Sequence, residues 1–114
     1  MGIKEFYTET GSSYKDVADR LGSEDFILHF VVKFKEDENF DLLKAALKNG
    51  DTDTAFRAAH TLKGIAANLG FTDLYNAATP ITEALRNGDI ALAKELFPNV
   101  SEKYDAVLKA AQKL

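Results

Sequence analysis

Apolar residues recur at intervals of three and four along most of the chain, and this spacing predicts helices. Small polar caps and glycines divide the apolar stretches, because glycine ends a helix and serine, threonine or aspartate begins the next. The predicted helices span residues 12–21, 23–49, 52–69, 72–87 and 89–113. Strand-like alternation is almost absent, so the predicted fold class is all-α.

The predicted connections are short, so sequential helices should be antiparallel neighbours within a single domain over residues 1–114. Asn49-Gly50-Asp51 and Asn87-Gly88-Asp89 use the same chemistry, with glycine ending one helix and aspartate capping the next. Pro80 and Pro98 fall inside helical patterns, and each should bend its helix or break it locally, because proline donates no backbone N–H.

The helix predicted over residues 23–49 is apolar on more sides than a simple surface helix needs. Its first half carries a dense apolar run: Phe26, Ile27, Leu28, Phe30, Val31, Val32 and Phe34. Either the first helix packs over this surplus or part of it faces a partner, and we expect some of each.

Composition narrows the possible functions. The 114 residues include no cysteine, which excludes disulfides, thiolate metal sites and a cysteine nucleophile. The formal net charge of −4 gives no electrostatic footprint for nucleic acid or an anionic membrane. No apolar run is long enough to span a membrane, and the N-terminus lacks the layout of a signal peptide. We expect a cytoplasmic monomer.

The helix over residues 52–69 carries the candidate chemistry. Its core seam is spaced by threes and fours: Ala55, Ala58, Leu62, Ile65 and Leu69. At about 100° per residue, His60 points about 160° away from Leu62 and should therefore face outward.

The residues around His60 suggest a nucleophile that carries an anion. Gly64 lies in mid-helix, where it costs up to ~1 kcal/mol relative to alanine, and no turn or cap requires it. Together with Ala67, it would clear space around the imidazole, while Lys63 places a cation within one turn of the ring.

A phosphoryl group fits this arrangement. Neutral imidazole is nucleophilic near pH 7, and the Lys63 ammonium would offset charge on phosphoryl oxygens. The chain has no Walker loop, no glycine-rich nucleotide loop and no compact carboxylate cluster for a metal. A metal and the second reacting residue would therefore come from a partner.

A motif then links the chain to a family. The segments Ala59-His60-Thr61-Leu62-Lys63-Gly64 and Ala66-Ala67-Asn68-Leu69-Gly70 closely resemble the signature of histidine phosphotransfer (HPt) domains. The resemblance implies an antiparallel up-down four-helix bundle with an additional short N-terminal helix. It also implies a phosphorelay intermediate in two-component signalling, a phosphocarrier without ATP binding or catalytic turnover of its own.

The same resemblance implies roles for residues and partners. His60 would accept a phosphoryl group from a receiver-domain aspartate, or from a kinase, and pass it to another receiver aspartate. Lys63 would contact the phosphoryl group and Gly64 would give it room. Response-regulator receiver domains, and a hybrid sensor histidine kinase, are the expected partners. The chain itself would need no cofactor, because the receiver would hold Mg²⁺.

The candidate partner interface comprises Phe56, Arg57, Ala67 and Asn68. Phe56 is equally compatible with a place at the rim of the core and with an apolar contact for the partner. Asn68 is compatible with capping the backbone near the helix end and with a role in docking.

Other interpretations remain open at this point. His29 lies in an apolar stretch and is better explained as a packed or half-exposed structural histidine. A metal site using both histidines is weakly supported, because no third ligand pattern accompanies them. The alternative functions are a non-phosphorylated helical adaptor that binds a receiver or kinase domain, and a hydrolase with His60 as base, for which a second catalytic group is missing.

Overall fold

The computed structural model describes all residues 1–114 and contains seven α-helices and no strand. The all-α prediction is confirmed. The bounds of the helices are α1 Ile3–Glu9, α2 Tyr14–Leu21, α3 Glu24–Phe34, α4 Asn39–Asn49, α5 Thr52–Leu69, α6 Thr72–Arg86 and α7 Ile90–Ala111. None of them is long and apolar enough to span a bilayer.

Helices α4 to α7 form the antiparallel four-helix bundle. Helix α5 packs against α4 and α6, α6 packs against α7, and α7 closes the bundle against α4. The core between them is built largely from alanine and leucine, whose small and medium side chains allow close helix approach.

The tight turns between these helices follow from local chemistry. Gly70 ends α5 in the left-handed conformation, with φ of 71°, and a Cβ there would lie 2.6 Å from the Ser13 carbonyl oxygen. Only glycine satisfies both requirements. At the other end of α5, the Asp51 carboxylate accepts a hydrogen bond of 3.1 Å from the Thr54 backbone N–H.

The prediction of one long helix over residues 23–49 is wrong, because the helix is interrupted between Phe34, the end of α3, and Asn39, the start of α4. The Asp37 carboxylate accepts hydrogen bonds from the Asn39 side-chain amide at 2.7 Å and the Phe40 backbone N–H at 3.4 Å. These bonds compete with helical ones. The break also rotates the buried stripe. In a continuous helix, Leu43 would point about 180° away from Phe34, yet both are buried.

Three helices therefore precede the bundle, where the sequence predicted one short helix and the start of a long one. Helix α1 was not predicted, although its Ile3, Phe6 and Tyr7 have i, i+3, i+4 spacing and are all buried. The ring of Phe6 meets that of Phe71 edge to face at 5.8 Å. Helix α1 thus covers the end of the bundle where α5 turns into α6.

Two further expectations concern the prolines and His29. Pro80 and Pro98 are exposed, and neither interrupts its helix, since α6 continues to Arg86 and α7 to Ala111. His29 is exposed on α3 rather than packed or half-exposed, and its ring meets that of Phe30 at 5.5 Å.

Candidate functional site on helix α5

Helix α5 runs over residues 52–69, as predicted, and separates a buried from an exposed face. The buried face comprises Ala55, Ala58, Ala59, Leu62, Ala66 and Leu69. His60 is exposed on the other face, as its helical position predicted. The imidazole is therefore open to a large partner from outside the bundle.

The His60 ring rests on Phe56, one turn earlier. The ring centroids are 5.7 Å apart and the planes differ by 18°. This is the offset stacked arrangement that aromatic rings favour, and helical side chains lean toward the preceding turn. Phe56 is half-buried against the core, so it both belongs to the rim and supports the imidazole.

The opposite side of His60 is open. Gly64 is exposed, and a Cβ built at this position meets no atom within 4 Å. Packing within the chain therefore does not require glycine at this position. Ala67, one turn further, is also exposed and presents only a methyl group. At Gly64 and Ala67, therefore, no large side chain stands beside the imidazole.

The cations near His60 differ in how they are paired. Arg57 is exposed and forms an ion pair with Asp53. The half-buried Lys63 forms no ion pair, and its ammonium lies 5.9 Å from the centre of the Tyr75 ring. An unpaired ammonium held over an aromatic ring remains available to an incoming anion.

Asn68 is exposed on the same face, and its carbonyl oxygen accepts a hydrogen bond of 3.1 Å from the Arg20 guanidinium. The Ala67 carbonyl accepts a second bond from Arg20, at 2.5 Å. A cation at these carbonyls suits the negative end of the helix dipole. The structure thus brings all the predicted site residues onto one face of α5, with Phe56 and Lys63 partly covered.

Three residues near this face were not predicted from the sequence: Arg20 on α2, and Tyr75 and Arg86 on α6. The Arg86 guanidinium lies 5.0 Å from the centre of the Phe56 ring. A partial signal was present for α6, because residues at similar distances from an antiparallel turn lie near one another. Lys63 and Tyr75 lie 7 and 5 residues from the turn at Gly70, and Phe56 and Arg86 lie 14 and 16 residues from it.

The family model of the Hpt domain matches residues 34–110. The chain belongs to the Hpt domain family. Hpt domains are histidine phosphotransfer domains of two-component signalling, and they act as phosphocarriers rather than as catalysts. The match includes α4, α5 and α6 in full and α7 up to Ala110, and therefore the whole exposed face of α5.

A curated relative agrees with this Hpt assignment. Over 53 residues the chain is 40% identical to the chemotaxis protein CheA of Bacillus subtilis (strain 168). The aligned segment covers 44% of this chain. The chain spans only 8% of the length of that relative. No solved structure matches the chain significantly.

Proposed function

We propose that this Hpt domain is a phosphorelay intermediate, with His60 as the phosphoacceptor. The observation that carries the proposal is the exposed imidazole, which rests on Phe56 on one side and faces the bare surface of Gly64 on the other. His60 would receive the phosphoryl group from an aspartyl phosphate of a receiver domain or from a hybrid kinase.

The chemistry is an in-line transfer. A lone pair on a neutral imidazole nitrogen of His60 attacks phosphorus, and a P–N bond forms. The P–O bond to the donor aspartate breaks, and its electron pair leaves with the carboxylate. The reverse reaction passes the group to another receiver. Such transfers depend mainly on positioning and on neutralising oxygen charge.

The other residues on the exposed face of α5 would neutralise charge, leave space for the reacting groups and contact the partner. The Lys63 ammonium neutralises charge on the phosphoryl oxygens, and Gly64 leaves room for the reacting groups. Arg57, Ala67 and Asn68 contact the partner around them. The Mg²⁺ that the reaction needs would be held by the receiver, since no group of three or more acidic or histidine side chains here is arranged to hold a metal.

The experiment is phosphoryl transfer from a phosphorylated receiver domain in the presence of Mg²⁺. The chain should acquire an acid-labile, base-stable phosphate, which is the signature of phosphohistidine. His60→Gln should abolish labelling while circular dichroism shows the same helicity. His29→Gln is the matched control, because His29 is the only other histidine and is also exposed.

Two outcomes would overturn the proposal. Labelling that persists in His60→Gln would remove His60 as the acceptor. Binding of the receiver without any labelling of the unmodified chain would favour the alternative of a non-phosphorylated helical adaptor.

A further inference from the structure

The ring of Phe56 lies close both to a cation of another helix and to the proposed acceptor. On α6, the Arg86 guanidinium lies 5.0 Å from the Phe56 ring centre. On α5, the His60 ring lies 5.7 Å from the same centre. We name Arg86, Phe56 and His60 together the brace.

We infer that Arg86 is a positioning residue for the imidazole and acts through Phe56. The inference rests on the proposed role of His60. A half-buried phenylalanine at the rim of a core can rotate about its side-chain bonds unless something holds it. A guanidinium over its face supplies such a hold, because cation–π attraction fixes the plane of the ring.

Arg86 is itself held in place. Its guanidinium pairs with Glu83, one turn earlier on α6, at 3.2 Å. Both side chains are about half exposed, so this ion pair alone adds little to stability. Its consequence is geometric, because it restricts the long arginine side chain to positions near Phe56.

The brace leaves one direction of approach open. Phe56 covers the side of the imidazole toward the start of α5, and the side toward Gly64 is free. An imidazole that keeps this orientation spends more of its time with a nitrogen aimed at an incoming phosphorus. Loss of Arg86 should therefore slow phosphorylation even where no protein partner docks.

The test uses a small phosphodonor, phosphoramidate, which needs no protein interface. Arg86→Gln should lower the phosphorylation rate of His60 about two- to fivefold, the effect expected from one exposed cation–π contact. Arg86→Lys should restore part of the rate, since it keeps the cation but loses the planar group. Lys15→Gln is the control, because it removes a cation from a similar exposed ion pair on α2.

A double-mutant cycle separates positioning from direct contact. In a Phe56→Leu background, Arg86→Gln should change the rate no further, because the ring through which it acts is gone. Phe56→Met serves if the leucine variant is less well folded by circular dichroism. An equal loss of rate from Arg86→Gln in either background would overturn the inference and place Arg86 on the phosphoryl group itself.

Proton NMR gives a readout that a merely structural role would not move. A stacked phenyl ring shifts the imidazole protons of His60, and Arg86→Gln should move these resonances toward those of an unstacked histidine. The His29 resonances should stay in place. Unchanged His60 resonances would also overturn the inference. Loss of labelling in His60→Gln with normal rates in Arg86→Gln would refute the brace and leave the proposed function intact.

Discussion

Residue 64 is a glycine in the interior of an 18-residue helix, where alanine would be the better helix former. A methyl group at that position would meet no other atom of the chain within 4 Å. Contacts within the chain therefore give no reason for glycine at this position. Close approach of a partner to the backbone beside His60 supplies such a reason.

Gly64→Ala and Gly64→Leu test this argument in opposite directions. Gly64→Ala should raise the free energy of unfolding by about 0.5–1 kcal/mol in urea titrations, because alanine loses less backbone freedom on folding. Gly64→Leu should leave the bundle folded but obstruct transfer from a phosphorylated receiver. Ala91→Leu adds similar bulk to an exposed site on α7 and should transfer normally. Normal transfer by Gly64→Leu would refute the clearance argument.

Lys63 differs from its neighbours because its charge is not already paired. Lys63→Ala should slow transfer about 10- to 100-fold or shorten the lifetime of phosphohistidine, as expected when one charge-assisted hydrogen bond is lost. Helicity by circular dichroism should change little. Lys48→Ala, on the exposed end of α4, is the control. An unchanged rate and lifetime in Lys63→Ala would remove this residue from the site.

At the scale of helices, the predictions were accurate where a helix begins and ends at residues that favour a cap or a turn. Helix α5 was predicted with its observed bounds because its start and its stop are local devices, the Asp51 cap and the Gly70 turn. The break before α4 was missed because residues 35–38 contain neither glycine nor proline. The change in phase between the buried stripes of α3 and α4 was the signal that could have revealed it.

The candidate site also contains features that the sequence of α5 predicts and features that depend on packing between helices. The outward direction of His60 follows from helical periodicity within α5 alone. The positions of Tyr75 and Arg86 depend on the register between α5 and α6, which helical periodicity does not provide. The hydrogen bonds from Arg20 depend on how α2 packs across the end of α5, and nothing in the local sequence indicates it.

The Asp51 cap makes the start of α5 sensitive to acid. Hydrogen bonds from Thr54 lower the Asp51 pKa below its ordinary value of 3.8. A lowered pKa stabilises the fold above the ordinary value, and this stability is lost as the pH falls through the folded value. As the pH decreases below about 4, the urea midpoint should therefore decrease less steeply in Asp51→Asn than in the unmodified protein. Asparagine keeps a capping oxygen but does not titrate. Identical acid profiles of the two proteins would contradict the prediction.

At the scale of the whole molecule, the N-terminal helices complete the bundle that carries His60. The family match begins at residue 34, so α1 and α2 lie outside it. Nevertheless, these two helices satisfy the last carbonyl groups of α5, which an isolated helix leaves without partners. Arg20 donates to the carbonyls of Ala67 and Asn68, and the Tyr7 hydroxyl donates to that of Leu69 at 2.6 Å. The exposed face of α5 is thereby anchored at its C-terminal end.

Tyr7→Phe tests this anchoring and has a pH signature. At neutral pH the variant should lose about 1 kcal/mol of unfolding free energy, because the Leu69 carbonyl loses its donor. Burial raises the Tyr7 pKa above its ordinary value of 10. The unfolded chain therefore releases this proton first, and stability falls above pH 10 by about 1.4 kcal/mol per pH unit. The variant lacks the Tyr7 contribution to this slope, whereas Tyr104, whose pKa burial also raises, contributes equally in both proteins. The unfolding free energies of the two proteins, measured by urea titration, should therefore converge as the pH rises above 10. Parallel curves would mean that the Tyr7 hydroxyl is not held in the folded protein as the structure shows.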